Sequence, residues 1–484
     1  MRKVLADYFL AGSFNEYTGI YIYLSDLFLF ATLVAWTISI LYNKSINLSI
    51  NRIKNVPCRT LLILIIPLAV VLWSFVSIKW ANNQQIALYR SFKLFEFYLL
   101  FLFLTLKSHY SLGNILKNIF EIIIFLGVIN ALIGIFQFIF QHSVGLFWLK
   151  ESLILSDLPG VAKIVLDGTK YIRAYGLLPH PNILGGFLLL SIVVTWVYRK
   201  LFYLTPTISL PKGGSKGEII NVSRETFIWV ILGIQIVGEI LTFSKSAILG
   251  FILTLIYIFQ DSIIPRGTFK RSLKRRVQFE KTSQIGNMGK KQSILKKAPF
   301  LLVIIFLAIY LTRPDFGSIF INSLKERLFY LDIAKSIISN NFLTGIGAGQ
   351  FIIEIPNYSE QTILNWQFQP VHNVFLLILA ELGLVGLSIF LWFVWKVFNI
   401  EQSLKKAKTE CSAWNEARCE VYSKRPSKNV PHGTVEFRIN LVRVFKAILI
   451  GFFVISLFDH YLWDIQQGQI MLWMVFGLLA GTAD

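Results

Sequence analysis

Cysteine is scarce: the 484-residue chain has three, Cys58, Cys411 and Cys419. That is too few for a disulfide framework. Cys411 and Cys419 share a basic stretch without metal-ligand spacing, so no metal site is expected. Charge is scarce too. Asp, Glu, Lys and Arg make up 15% of the chain, where a soluble domain carries about 25%. No Walker A string, dinucleotide fingerprint or His-Glu-x-x-His motif occurs, which leaves ATP coupling unsupported, and no cofactor is called for. The stretch Met1 to Asn15 is too polar for the apolar core of a cleaved leader.

What the chain has instead is apolar length. Hydrophobic residues make up 55%, and many runs approach or exceed the roughly 18 residues that read as a membrane span. Spans are expected at 19–42, 59–79, 88–107, 117–141, 181–202, 225–243, 246–260, 298–312, 373–399, 443–458 and 468–482. The fold class is therefore all-α: a polytopic transmembrane bundle of 11–12 spans, read as one integral membrane domain over 1–484. A twelfth span would need a partial or re-entrant segment near residues 4–18.

The net charge of +20 sits between spans. The basic loops 261–297 and 400–442, with Lys44, Arg52, Lys54 and Arg199, all fall on one side if the spans alternate. The positive-inside rule makes that side cytoplasmic, so the charge points to membrane topology and not to nucleic acid. The opposite side receives 142–180 and one large loop, 313–372. Within that loop Leu324, Leu328, Leu331 and Ile338 recur at helical spacing, as in an amphipathic helix lying on the outer leaflet. The string Gly345 to Phe351 follows. It reads either as a flexible helix stop or as a turn whose amides approach a phosphate.

Candidate site residues cluster on this outer side. Arg173, Tyr175, His180 and Asn182 end the loop before the fifth span, and Pro181 is a helix opener, so His180 and Asn182 lie near an anion-favouring N-terminus. Ser244 and Lys245 form a sharp turn between two spans. Arg327 offers a guanidinium fork suited to pyrophosphate. His372 and Asn373 open a span in which Gly383 and Gly386 return, by helical rotation, to within roughly 20° and 40° of His372. His460, Asp464 and Gln467 would share a helical face, with Asp464 orienting His460. Glu121 and Glu239 are deeper charges with no evident partner in the sequence. A transporter or flippase for a lipid-linked or anionic solute would use the same cations, but the chain shows no internal repeat.

Arg173 to Gly186, Leu241 to Gly250, Arg327 to Phe351 and His372 to Gly386 together resemble the O-antigen ligase and O-antigen polymerase superfamily. The resemblance covers about residues 60–480, and the His-Asn-x9-Gly string and the Arg-x3-Leu from Arg327 to Leu331 are ligase-like. The family often has arginine where Lys245 stands, and the extreme N-terminus matches poorly. The resemblance implies an inverting, metal-independent glycosyltransferase of lipopolysaccharide biosynthesis in the bacterial inner membrane, working on its outer face. It implies an undecaprenyl-pyrophosphate-linked glycan as donor. The acceptor would be lipid A-core, another lipid-linked glycan or a protein hydroxyl. His372 is then the expected general base, Arg327 and Arg173 the charge-neutralising residues, and Asn373, Tyr175, His180, Asn182, Ser244, Lys245, His460, Asp464 and Gln467 the substrate-binding set.

Overall fold

The computed structural model describes residues 2–10, 12–42, 58–158, 160–166, 168–203, 216–260, 316–359, 363–405 and 435–482. The expected span 298–312, the basic loop 261–297, most of the loop 400–442 and Cys411 and Cys419 lie outside the described residues. The described chain is mainly helical. Five helices are long and apolar enough to cross a membrane: Leu61–Trp80, Ile115–Phe140, Pro181–Leu201, Val374–Lys405 and Phe437–Ser456. Shorter apolar helices cover Leu24–Ser39, Thr226–Leu241 and Lys245–Gln260. The chain divides into two compact units, Met1–Leu116 with Ser323–Asp484, and Lys117–Asn322.

The first unit opens with strands. β1 (Arg2–Ala6) pairs antiparallel with β4 (Ile20–Tyr23), and β2 (Phe9–Leu10) pairs with β3 (Ser13–Phe14). The partial or re-entrant segment expected near residues 4–18 is built as these short strands and not as a span. Gly12 takes φ +75° in the turn, and the polar Asp7, Asn15 and Glu16 interrupt any apolar run. Helices α1 (Leu24–Tyr42) and α2 (Cys58–Val76) follow.

The two spans expected at 88–107 and 117–141 are joined in α3 (Gln84–Phe140), one continuous helix of 57 residues. At 1.5 Å per residue that is about 86 Å, far more than the hydrocarbon thickness. The intervening stretch Lys107 to Gly113 contains no proline, so nothing in it removes a backbone donor. The helix runs from the first unit into the second.

The first unit resumes through α7 (Phe316–Asn340), α8 (Phe351–Tyr358), α9 (Val374–Phe398), α10 (Val435–Ser456), α11 (Tyr461–Asp464) and α12 (Gln466–Gly481). Its core is aromatic. Phe393 lies 5.5 Å from Phe101 and 4.8 Å from Phe476, measured between ring centroids. Trp473 stacks on Phe393 at 6.1 Å. Lipid tails are as apolar as these rings, so close packing and ring geometry, and not removal from water, favour the arrangement. In α7 the buried face is Tyr330, Ile333, Ala334 and Ile337, while Leu324, Leu328 and Leu331 are exposed. The leucine stripe seen in the sequence is thus exposed, and the buried face is a different one.

The second unit packs α4 (Pro181–Tyr198) against α5 (Lys216–Leu241) and α6 (Lys245–Gln260), beside the hairpin of β5 (Lys163–Leu166) and β6 (Thr169–Ile172). Inside the bundle Gln235 Nε2 donates to Ser191 Oγ at 3.0 Å, Thr195 Oγ1 donates to Gln235 Oε1 at 3.0 Å, and Ser191 Oγ donates to the Ile123 carbonyl at 3.0 Å. Such bonds substitute for the water the bilayer lacks. Glu121 is not alone, since it accepts from the Tyr198 hydroxyl at 2.6 Å. Glu239 is buried, and among the described residues neither of its carboxylate oxygens has a hydrogen-bond partner.

The helix α9 is not continuous. Gly383 takes φ +69°, ψ −174° inside it, a region essentially reserved for glycine. The carbonyls freed by this break are taken by the glycine turn. Ile346 N donates to Ala380 O at 3.0 Å and Gly347 N to Glu381 O at 2.8 Å. In return Leu384 N donates to Phe342 O at 2.8 Å, and Trp73 Nε1 donates to Leu382 O at 2.8 Å. The helical-rotation argument linking His372 to Gly383 and Gly386 therefore fails, because the helix it assumes is interrupted at Gly383.

A Cβ on Gly383 would lie 2.2 Å from the Leu343 carbonyl oxygen. Gly383→Ala is expected to lower stability by about 2 kcal/mol or more, from strain and clash together. Gly168→Ala shares a positive φ (+78°) but has nothing within 4 Å of the added atom. It is expected to cost only about 1 kcal/mol. Thermal unfolding of both variants in detergent measures the difference. Equal losses would remove the clash from the explanation.

Candidate functional site

Two polar clusters are built, one in each unit. The first gathers residues that are far apart in the chain. His372 ends the segment before α9, and Asn373 is the N-cap, its Oδ1 accepting from Leu376 N at 3.0 Å. Its amide Nδ2 donates to the Leu457 carbonyl at 3.2 Å. Asn373 thus orients the helix start and ties it to the turn that carries His460.

Four rings then lie in a row. Tyr17 meets His460 edge-on at 5.6 Å, His460 lies 5.2 Å from His372, and His372 stacks on Tyr330 at 5.6 Å and 7°. The Tyr330 hydroxyl donates to the Gln367 carbonyl at 2.9 Å, which fixes the stacking surface. Arg327, one turn earlier on α7, is half-buried with its guanidinium carbon 5.9 Å from the Phe458 ring centre. Arg327 is close enough for its charge to act on His372.

The two imidazoles are electrostatically unlike. His372 Nδ1 lies 3.0 Å from the Pro370 carbonyl. A carbonyl only accepts, so Nδ1 carries the proton and Nε2 presents a lone pair. Burial is the main cause that pushes the His372 pKa down to about 4, with the neighbouring His460 next, against an opposing pull from Asp459. His460 goes the other way. Burial opposes its charge, but Asp464, whose Oδ1 is 2.9 Å from Nδ1, together with Asp459 and Glu16 raises its pKa. The expected pairing of His460 with Asp464 is present. Gln467 does not join it: Ile465 is extended (φ −100°, ψ 133°) and breaks the helix between them.

Behind the row lies a cavity of about 40 Å³ lined by Tyr17, Arg90, Glu381, Asp464 and Gln469, among others, room for roughly two or three waters. Arg90 NH1 donates to the Asp464 carbonyl at 2.8 Å, and NH2 donates to the Tyr17 carbonyl at 2.7 Å. The buried Glu381 carboxylate accepts from Phe351 N at 3.3 Å and is reached by the Gly349 amide. The amides of Ile346, Gly347, Ala348 and Phe351 all have protein acceptors. The string Gly345 to Phe351 is therefore a clamp on α9. It is neither a flexible stop nor a set of free amides awaiting a phosphate.

The second cluster occupies one end of α4, α5 and α6. Arg173 Nε donates to the Thr242 carbonyl at 2.6 Å, and NH2 donates to Asn182 Oδ1 at 2.6 Å. His180 is the N-cap of α4 and its Nδ1 accepts from Asn182 N at 3.2 Å. This amide, expected to be available to an anion, is already taken. Tyr175 is buried, its hydroxyl accepts from Ala162 N at 2.6 Å, and its ring lies 6.2 Å from His180. Gln137 Oε1 accepts from Tyr175 N at 3.0 Å and from Gly176 N at 2.8 Å, strapping the loop onto α3. Ser244 is buried in the turn, and Lys245 begins α6 with an exposed side chain. Among the described residues no three His, Cys, Asp or Glu side chains gather as a metal ligand set.

Tyr17, Arg90, Tyr330 and Gln137 were passed over in the sequence analysis. Arg90 and Gln137 carried a signal nonetheless, since a polar or charged group inside an apolar run usually has a purpose. Tyr17 carried none.

Residues 230–391 match the family model described as O-antigen ligase. The match supports the O-antigen ligase and polymerase superfamily. It takes in the Ser244–Lys245 turn, Arg327, the glycine clamp and the His372–Asn373 pair. It supports, in general terms, a membrane glycosyltransferase of the ligase or polymerase type, with a lipid-linked glycan donor and an acceptor. No curated protein matches the chain.

The depressed pKa of His372 has a consequence for stability. The unfolded chain takes up this proton near 6.5, the folded protein only at about 4. The contribution is complete above about 6.5 and is lost as pH falls toward 4. His372→Phe is expected to flatten that part of the stability-versus-pH curve, measured by unfolding between pH 7 and pH 4. An unchanged slope would mean the imidazole is not held neutral.

Proposed function

We propose that the protein transfers a glycan from undecaprenyl pyrophosphate to an acceptor hydroxyl on the outer face of the bacterial inner membrane, by an inverting displacement that needs no metal. The observation that carries this reading is the His372 imidazole, its pKa pushed down to about 4 by burial, with Nδ1 held by Pro370, beside His460, whose pKa the aspartates raise, and near Arg327. The acceptor oxygen attacks the anomeric carbon as the bond from that carbon to the pyrophosphate oxygen breaks. The acceptor proton passes to His372 Nε2, and the polyprenyl pyrophosphate leaves as an anion.

That leaving group needs charge neutralisation more than a proton, which suits Arg327 and the His460 imidazolium. The arriving donor also strengthens the base. Its negative charges oppose the effect of His460 and Arg327 on His372, so the pKa of His372 rises once donor is bound. The second unit, taken by itself, offers Arg173, held by Thr242 and Asn182, and Lys245 as anion-binding residues. Lipid A-core, a second lipid-linked glycan and a protein hydroxyl all fit the same chemistry at the acceptor.

His372→Ala is expected to lower transfer by about 100-fold or more while the protein stays folded in the membrane. Arg327→Lys is expected to be impaired about tenfold, because one ammonium does not reproduce a bidentate fork. Mass analysis of products from purified protein and a lipid-pyrophosphate oligosaccharide reads both. A longer lipid-linked chain identifies a polymerase, and sugar on lipid A-core a ligase. Unchanged donor carried across vesicles would instead support a transporter, and wild-type turnover by His372→Ala would remove His372 from the reaction.

A further inference from the structure

The N-terminal strands lie outside the residues that match the family model, yet they reach the histidine row by three separate ties. Asn15 Nδ2 donates to the Phe368 carbonyl at 3.0 Å, four residues before His372. Arg90 holds the Tyr17 carbonyl with one guanidinium nitrogen and the Asp464 carbonyl with the other. The Tyr17 ring meets the His460 ring edge-on at 5.6 Å.

The loop that delivers Tyr17 is itself fixed. Tyr17 N donates to Asn15 Oδ1 at 2.9 Å, and Thr18 Oγ1 donates to the Tyr8 carbonyl at 2.7 Å. Asn15 and Thr18 are buried, as a wall requires and a loose tail does not. We propose that the hairpin of residues 2–23 is a wall of the histidine site, and that Tyr17 is a positioning residue that holds His460 on Asp464.

The physical case is one of degrees of freedom. Among the described residues the His460 side chain makes one hydrogen bond, from Nδ1 to Asp464, which leaves the ring free to pivot about that bond. The Tyr17 edge on one side and His372 on the other remove the pivot. Arg90 makes the two restraints one, because moving the hairpin and moving Asp464 stretch the same guanidinium. The groups that set the charge of His460 are Asp464 and Asp459 from its own turn, Glu16 from the hairpin and His372 from the start of α9. The role assigned to His460 rests on the functional reading above; its contact with Tyr17 does not.

The test uses the full chain in lipid nanodiscs. Tyr17→Phe keeps the ring edge, Tyr17→Leu keeps volume without it, and Tyr17→Ala removes both. Modification of His460 by diethyl pyrocarbonate, followed by peptide mass analysis, reads shielding without any need for activity. Wild type and Tyr17→Phe are expected to react slowly, and Tyr17→Ala and Tyr17→Leu at least about tenfold faster. Glycan transfer is expected to show kcat down by about tenfold or more in the Ala and Leu variants, with KM for donor unchanged and rescue by Phe. If Tyr17→Ala does not fold, Tyr17→Leu carries the same comparison. Slow modification and wild-type kcat in the Leu variant would overturn the proposal. If the wild-type protein transfers no glycan, the functional reading falls and the modification rates alone decide the positioning claim.

Discussion

Two imidazole rings 5.2 Å apart, with little water between them, cannot both carry charge cheaply. The first unit treats the two rings unequally. Asp464 bonds the His460 ring and Asp459 adds to its pull, whereas His372 Nδ1 meets a backbone carbonyl and the pull of Asp459 on it is outweighed by burial and by His460. His372 is thereby held toward the neutral form and His460 drawn toward the cation, a division made before any substrate arrives. Everything else in the site keeps that division in place. Tyr330 stacks on the neutral ring, and Asn373 fixes the helix that follows it. Arg90 holds the aspartate turn.

A backbone device lies some ten residues down α9 from His372. Gly383 breaks the helix, and the turn Gly345 to Phe351 inserts its amides into the gap. This links the segment that follows α7, with its Arg327 and Tyr330, to α9, the helix that begins just after His372 and Asn373. A membrane interior offers no water to a broken helix, so the insertion is what makes the break tolerable. Glycine serves both partners, allowing positive φ at Gly383 and close backbone approach at Gly345.

Much of this was legible in the sequence, for identifiable reasons. Pro181 opens a helix and Asn373 caps one because these residues act locally. The i, i+4 spacing of His460 and Asp464 is a helical neighbour rule, and it held across one short turn. The same rule failed one residue later, where Ile465 is extended and Gln467 departs. The Gly383 break was illegible because a helical wheel assumes the helix it is used to test. The fate of the glycine-turn amides was equally hidden, since the acceptors of Ile346, Gly347, Ala348 and Phe351 lie far off in the chain, on Ala380, Glu381 and Ser77. Hydropathy could not show that 88–107 and 117–141 join, because a polar stretch without proline reads as a loop although its backbone is free to stay helical. The N-terminal strands escaped because they are short, two to five residues each, and among the described residues pair only with one another.

The most direct test of the divided pair is nitrogen NMR of histidine-labelled protein at pH 6, with His372 and His460 assigned by substitution. The account predicts one neutral ring, His372, protonated at Nδ1, and one imidazolium, His460. Two rings titrating together near the ordinary histidine midpoint, or a charged His372, would contradict it.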